Sequence, residues 1–248
     1  MPQPDTVVLQ VCAGMGNRLR ALVSGLCLAE DLGVRLQIIW PANEPTCLAP
    51  FDKLFESSSL PSWASVSLGP LLKEPKMVLG PEDMAAYIDE AAWGPIKSYG
   101  RFHTSDESRW LAYLRALRPE ASVLSRVPSS ITPYVGVHIR RGDHKKSREF
   151  SPTEAFREAM KLEPETTQFV LATDDVVEAR YMTETFGKQR VTVLTSSFSR
   201  MTLRGMQDAV LDFFVLSRGL KILGSFQSSF SEIAAQYGDI PLQVITRK

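Results

Sequence analysis

Residues 6 to 40 constrain the fold more than any other stretch of this chain. Thr6 to Val11 is a β-branched, apolar run of the kind that fills a buried parallel strand. It breaks at Ala13-Gly14-Met15-Gly16-Asn17-Arg18, after which apolar residues recur at helical spacing through Leu19, Leu22, Val23, Leu26 and Leu28. Gly33 closes that segment, and Val34 to Trp40 forms a second strand halted by Pro41. Strand, glycine turn, helix and strand in this order begin a Rossmann-like α/β unit.

The glycine turn has a physical use. Gly14 and Gly16 carry no Cβ, so backbone N–H groups at a helix N-terminus can approach a phosphate closely. A dinucleotide fingerprint also needs a third glycine and an acidic residue ending the second strand. Here the third glycine is missing and Trp40 ends that strand, which argues against a nicotinamide site.

Residues 41 to 104 are less regular and rich in proline and serine. Phe51 to Phe55 reads as a short helix, Ser65 to Leu68 and Met77 to Leu79 as short strands, and Glu82 to Trp93 as a helix with Pro81 at its first position. Long irregular stretches in a compact domain tend to be functional loops, so acceptor recognition is assigned here. Asp106 to Arg118 is an amphipathic helix capped by Ser105 or Asp106, and Ser122 to Val127 forms a further turn. Pro128 to Pro133 is turn chemistry. It divides the chain into an N-terminal Rossmann-like domain (1–130, the acceptor side) and a C-terminal one (131–248).

The second half repeats the βα pattern. Tyr134 to Val137 is a strand, and Ser151-Pro152-Thr153-Glu154 a helix start with serine at the cap and proline in the first turn. Gln168 to Thr173 is a strand running into Asp174-Asp175 and a helix to Phe186. Val191 to Leu194, Leu220 to Leu223 and Leu242 to Ile245 are strands. The long helix Arg204 to Arg218 and a last helix to Tyr237, capped near Ser231, lie between them.

Three polar clusters follow these strands: His138-Ile139-Arg140-Arg141-Gly142-Asp143, Asp174-Asp175, and the serines Ser225, Ser228, Ser229 and Ser231. In an open α/β sheet the carboxyl ends of the strands are where ligands sit. Two adjacent guanidiniums are a pair of permanently charged forks for a diphosphate. Hydroxyls and N–H groups before a helix cradle phosphate oxygens, and carboxylates accept from sugar hydroxyls or the guanine edge. Each piece has a plainer reading. The arginines and Asp143 make a surface ion-pair cluster, Asp174 and Asp175 cap a helix, the serines are caps, and His144-Lys145-Lys146 is solvated. Asp208 and Asp212 lie four apart on one helical face.

Lysine plus arginine and aspartate plus glutamate both number 28, so no overall field favours nucleic acid or an anionic membrane, and any basic site is local. Cys12, Cys27 and Cys47 are odd in number and lack metal-ligand spacing, so they are expected to be reduced. The N-terminus has no basic segment followed by an apolar one, and no apolar run approaches the ~20 residues of a membrane span. A soluble, cytoplasmic protein is expected.

The order of motifs resembles the GDP-fucose-dependent fucosyltransferases, nearest the α-1,6 and rhizobial nodulation group and more distantly the protein O-fucosyltransferases. The resemblance rests on Gly14-Met15-Gly16-Asn17-Arg18-Leu19, His138-Ile139-Arg140-Arg141-Gly142-Asp143, Ala172-Thr173-Asp174-Asp175, Leu203-Arg204-Gly205 with Val210-Leu211-Asp212, and Ser228-Ser229. It implies a GT-B-type fold of two Rossmann-like domains facing a cleft. It also implies metal-independent, inverting transfer of fucose from GDP-fucose to a glycan or other hydroxyl acceptor, with no cofactor. By the same resemblance Arg140 binds the β-phosphate, Arg141 supports it through Asp143, and His138 and Asp212 hold the guanine. Gly14, Gly16 and Asn17 close over the diphosphate, Ser228 and Ser229 line its other side, and Asp174 or Asp175 orders the neighbouring loop. Where the α-1,6 enzymes carry a glutamate after the motif aspartate, this chain has Arg148 followed by Glu149. Glu149 and Asp143 are the candidates for the general base, and Asp208 competes with Asp212 for the guanine. The alternatives are a transferase using another GDP-hexose and a catalytically silent nucleotide-sugar or glycan-binding module.

Overall fold

Strand β1 (Thr6–Val11), helix α1 (Met15–Leu32) and strand β2 (Arg35–Ile39) follow one another as the sequence predicts. The computed structural model describes residues 4–69, 74–89, 93–128 and 133–247. After β2 come β3 (Ala64–Ser67), β4 (Lys76–Met77), α2 (Pro81–Asp89), β5 (Ile96–Ser98) and α3 (Glu107–Ala116). The strands form one sheet in the order β3-β2-β1-β5-β4, with every pairing parallel. Helix α1 lies close on this sheet because Gly25 has no side chain to strike Leu9. Its other end stops at Gly33, which adopts the left-handed φ of 66° that a helix terminus of this type needs.

The expected helix at Phe51–Phe55 is a single 3₁₀ turn, Phe51–Lys53, whose ring packs on Trp40 and Phe55. Strand β5 is too short, and too close to Pro95, to be read as a strand from sequence.

The second half runs α4 (Ala121–Leu124), β6 (Tyr134–Ile139), α5 (Lys145–Phe150), α6 (Thr153–Lys161), β7 (Gln168–Thr173), α7 (Val176–Phe186), β8 (Val191–Thr192), α8 (Leu203–Leu216), β9 (Ile222–Ser225), α9 (Ser229–Gly238) and β10 (Leu242–Ile245), and its strands form a second sheet. Its strand order is β10-β9-β6-β7-β8, again all parallel. Counted within this half, the strands run 3-2-1-4-5, the doubly wound order, and the chain reverses direction across the sheet between β6 and β9. The two compact units are Met1–Glu120 and Ala121–Lys248. Most of the Pro128–Pro133 turn lies outside the described residues.

The pleat of β6 sends alternate residues to opposite faces. Val135, Val137 and Ile139 join a buried cluster with Phe156 and Met160 of α6 and Met182 of α7. Tyr134, Gly136 and His138 face the other way: Tyr134 donates to the Val215 carbonyl on α8 (2.5 Å), and His138 meets Phe230 on α9. At Gly136 any Cβ would press on Leu216 of α8.

Ser151 is not the cap of α6. Pro152 takes that place without a side-chain hydrogen bond. Ser151 is instead fully buried, donating to the Ile245 carbonyl (2.5 Å) and accepting from the Phe226 N–H (2.8 Å). Strand β9 begins and ends two residues later than expected. Among the described residues no helix is long and apolar enough to cross a membrane.

Candidate functional site

The chain reversal between β6 and β9 brings the ends of these two strands together, and His138, Arg140, Ser225 and Ser228 gather there. The Ser225 hydroxyl accepts from the Arg140 backbone N–H (2.9 Å) and donates to the His138 carbonyl (3.1 Å). One serine at the end of β9 therefore fixes the backbone that leaves β6. His138 is buried, with its Nδ1 3.4 Å from the Ser228 hydroxyl and its ring 4.7 Å from that of Phe230. Burial, reinforced by Arg140 and Arg141, pushes its imidazole down to about 3, so it is neutral at physiological pH. Ser228 caps α9 and is buried, and Ser229 opens the same helix, so the helix N-terminus lies beside His138.

The two arginines have different surroundings. Arg141 is buried and spends all five N–H groups inside the protein. Nε and Nη2 donate to the Glu178 carboxylate (2.9 and 3.3 Å), and Nη2 also to Thr153 (3.0 Å). Nη1 donates to the carbonyls of Ser151 (3.0 Å) and Arg140 (3.1 Å). A guanidinium has five such donors, so none is left to fork a phosphate. The expectation of two adjacent phosphate forks is corrected: Arg141 ties β6 to α6 and α7. Nor does Asp143 reach it.

Arg140 stands at the rim. Its guanidinium pairs with Asp143 and with Asp174, and Asp174 also accepts from the Arg141 backbone N–H (2.7 Å). Burial, reinforced by Arg200 and opposed by Asp143, lowers Arg140 to about 10, so it remains charged at neutral pH. Gly142 turns with φ 22°, and a Cβ there would strike the Asp174 carboxylate. Asp174 thus orders the turn after β6. Asp175 does something else: its carboxylate caps α7, accepting from Val177 (2.8 Å) and Glu178 (3.2 Å).

Asp143 is 64% exposed and shared by Arg140 and Arg200, the latter at 2.9 Å. Partial burial acts to raise its pKa, but the two arginines outweigh that and hold it below the usual carboxylate range. Glu149 lies on α5, exposed, with Arg247 at 3.8 Å. His144 is the cap of α5, its Nδ1 accepting from the Ser147 N–H (3.0 Å). The plainer reading of the solvated Lys145-Lys146 pair holds, since both are exposed.

Asp208 and Asp212 share a helical face but not a role. Asp208 is fully buried and saturated: Arg126 and Arg204 pair with it, and Ser196 N, Ser197 N and Ser196 Oγ donate to it at 2.7, 2.7 and 2.9 Å. Asp212 is also buried, yet only Oδ2 has a partner, the Thr195 hydroxyl; Oδ1 has none among the described residues. Burial, with Asp208 adding to it, raises its carboxyl to about 7. A buried acceptor without a donor costs roughly 1–3 kcal/mol, so Oδ1 is open to a donor from water or a ligand.

In the first unit Gly14 caps α1 with no side-chain hydrogen bond and with no acid in the first turn. The preceding turn places Ala13 at φ 65°. Arg18 is fully buried and braces it, donating to the carbonyls of Ala13 (2.9 Å) and Pro41 (2.6 Å) and pairing with Glu44 (2.8 Å). Gly16 and Asn17 lie in the first turn of the helix. Sequence reasoning did not single out Glu178, Thr195 or Arg200. Pairing is invisible in a linear chain, although a buried arginine implies an acid somewhere.

No family model and no curated protein matches this sequence. Solved structures do share its fold. NodZ α-1,6-fucosyltransferase co-crystallized with GDP superimposes with a TM-score of 0.62 at 18% identity, over 94% of this chain and 92% of that one. Fucosyltransferase NodZ from Bradyrhizobium gives 0.64 at 17% identity, over 100% and 96%. POFUT1 in complex with GDP-fucose gives 0.61 at 11% identity, over 100% and 99%.

Proposed function

We propose that this protein is a GT-B-type glycosyltransferase that takes GDP-fucose and transfers the sugar to a hydroxyl acceptor, with inversion and without a divalent metal. The observation that carries the reading is the open, buried Oδ1 of Asp212 on α8, in the same compact unit as the rim guanidinium of Arg140. The N1–H and N2–H₂ edge of guanine supplies the donors that a buried carboxylate lacks. Adenine offers a lone pair at N1 and would meet repulsion there. Neutral His138 and the hydroxyl of Ser228 complete the polar surface for the nucleotide. The fold shared with fucosyltransferase structures supports the same reading.

Transfer breaks the bond between the anomeric carbon and a β-phosphate oxygen, and the electron pair leaves with GDP. A fixed guanidinium at that oxygen stabilises the charge as it develops, which is the work assigned to Arg140. The acceptor oxygen forms the new bond and gives up its proton to a base. A base is most effective when its pKa lies near the working pH. Asp143 and Glu149 are the carboxylates assigned to take the proton, and the arginines hold Asp143 below the usual carboxylate range. Gly14, Gly16 and Asn17 are assigned to the diphosphate through the N–H groups opening α1.

Calorimetric titration of the wild type and Arg140→Ala with GDP, UDP and NAD, with and without EDTA, tests the reading. We expect selective, EDTA-insensitive GDP binding that weakens at least tenfold in the variant, as loss of a charge-assisted phosphate contact implies. Equal affinity for UDP, or an unchanged variant, would overturn it. Release of fucose from GDP-fucose then separates an enzyme from a silent binding module, and GDP-mannose tests the donor sugar.

A further inference from the structure

We infer that Arg200, on the loop before α8, is the second diphosphate-binding guanidinium of this site, and that Asp143 is the anion it and Arg140 share until a diphosphate displaces it. This deepens the reading above and rests on it for the identity of the nucleotide. The side-chain arrangement carries it. Arg141 has no donor left to offer, so the neighbouring arginine in the sequence cannot form the second half of a clamp. Arg200 converges with Arg140 on a single oxygen, Oδ1 of Asp143, although the two arginines come from different strand-to-helix connections. Two guanidiniums on one exposed carboxylate oxygen is the geometry a phosphate oxygen would also satisfy, with a larger charge to offer.

The loop that carries Arg200 is held at both ends. On one side Asp208 accepts from Ser196 and Ser197 while Arg126 and Arg204 neutralise it. On the other, the Thr202 hydroxyl caps α8 by accepting from the Gly205 N–H (3.0 Å). The Ser199 carbonyl lies so close to Gly205 that any side chain there would strike it. A guanidinium presented from a frame fixed at both ends loses less freedom on meeting an anion than one on a free loop. Arg200 also acts on Arg140 directly, as the second cause, after burial, of its lowered pKa. Two like charges brought together in this way are poised for an anion between them.

Inorganic pyrophosphate and GDP, titrated calorimetrically into the wild type, Arg200→Ala and Asp143→Asn, test the inference. Arg200→Ala should weaken both ligands about tenfold to a hundredfold, the range for a hydrogen-bonded charge on an anion. Asp143→Asn should tighten both severalfold, because it removes the carboxylate that both guanidiniums share and leaves Asp174 on Arg140 alone. A merely structural Arg200–Asp143 pair would make the two variants shift together, and that result overturns the inference. So does an Arg200→Ala variant that binds pyrophosphate as the wild type does. If pyrophosphate follows the expected pattern while GDP shows no preference over UDP, the clamp stands and the guanine reading falls. Thermal unfolding of each variant, expected within a few degrees of the wild type, shows that any loss of binding is not loss of fold.

Discussion

Replacing Asp212 with asparagine should stabilise the protein while removing the guanine binding proposed for it. The carboxyl is buried, and burial with the nearby Asp208 lifts it from 3.8 to about 7. In the unfolded chain the same group ionises near 3.8. Between those two values the native state holds a proton that the unfolded state has lost, so stability falls as pH rises from about 4 to 7 and is then flat. The accumulated cost above pH 7 is on the order of 4 kcal/mol, at about 1.4 kcal/mol for each tenfold change. Asparagine keeps the acceptor for Thr195 and never ionises, so it escapes that cost. His138 slopes the other way. Its folded value of about 3 against an unfolded 6.5 removes stability as pH falls below 6.5. From pH 4 to 6.5 the two groups nearly cancel in the wild type, so the difference between variant and wild type is the quantity to read.

The assay is urea unfolding of both proteins at intervals from pH 4 to 8.5. The variant's advantage should grow steadily up to pH 7 and then level. A flat difference curve would refute the assignment of a raised carboxyl, and a variant less stable at pH 8 would mean that the ionised group is better solvated than its burial implies. Binding supplies an independent check. Guanine needs the ionised form, which is about one-tenth of the population at pH 6 and nine-tenths at pH 8 for a group titrating at about 7. GDP should therefore bind the wild type roughly tenfold more weakly at pH 6 than at pH 8, and the variant weakly at both.

Two further outcomes follow from the packing. Arg141→Met strands Glu178 among buried atoms and should cost about 3–5 kcal/mol in urea unfolding, as breaking one side of a buried ion pair does. Gly205→Ala drives a methyl into the Ser199 carbonyl and should cost about 1–3 kcal/mol by the same measurement, with weaker pyrophosphate binding as the Arg200 loop shifts.

The strands and helices of the second half were legible because their patterns are long and clean. Gln168–Thr173 and the helix from Val176 show this, the latter announced by Asp175. The short helix Lys145–Phe150 was not, because its sequence is charged almost throughout and its cap is an unremarkable histidine. Ser151 shows the limit of cap rules. Serine followed by proline and a later glutamate satisfies the local pattern, yet the hydroxyl has better partners in Ile245 and Phe226, both far away in the chain. The Asp208 and Asp212 pair was ambiguous for a related reason. Spacing places both on one face, but only the loop that folds back over α8 decides which of them is saturated.

The parity of β6 explains why adjacent arginines cannot share one task. Ile139 points into the apolar cluster with Phe156 and Met182, and Arg141, two residues on, follows it toward α6 and α7, where Thr153 and Glu178 absorb it. His138 points toward α9, and Arg140 continues to the rim. A pleated strand therefore hands the second half of the Arg-Arg pair to the core. A diphosphate carries more charge than one guanidinium neutralises, so a further cation has to come from a different connection. The loop before α8 supplies it in Arg200, held in place by the same buried Asp208 that could be mistaken for a ligand-binding carboxylate. On the proposed reading, binding at the rim is thus set by a saturated aspartate that need never touch the nucleotide.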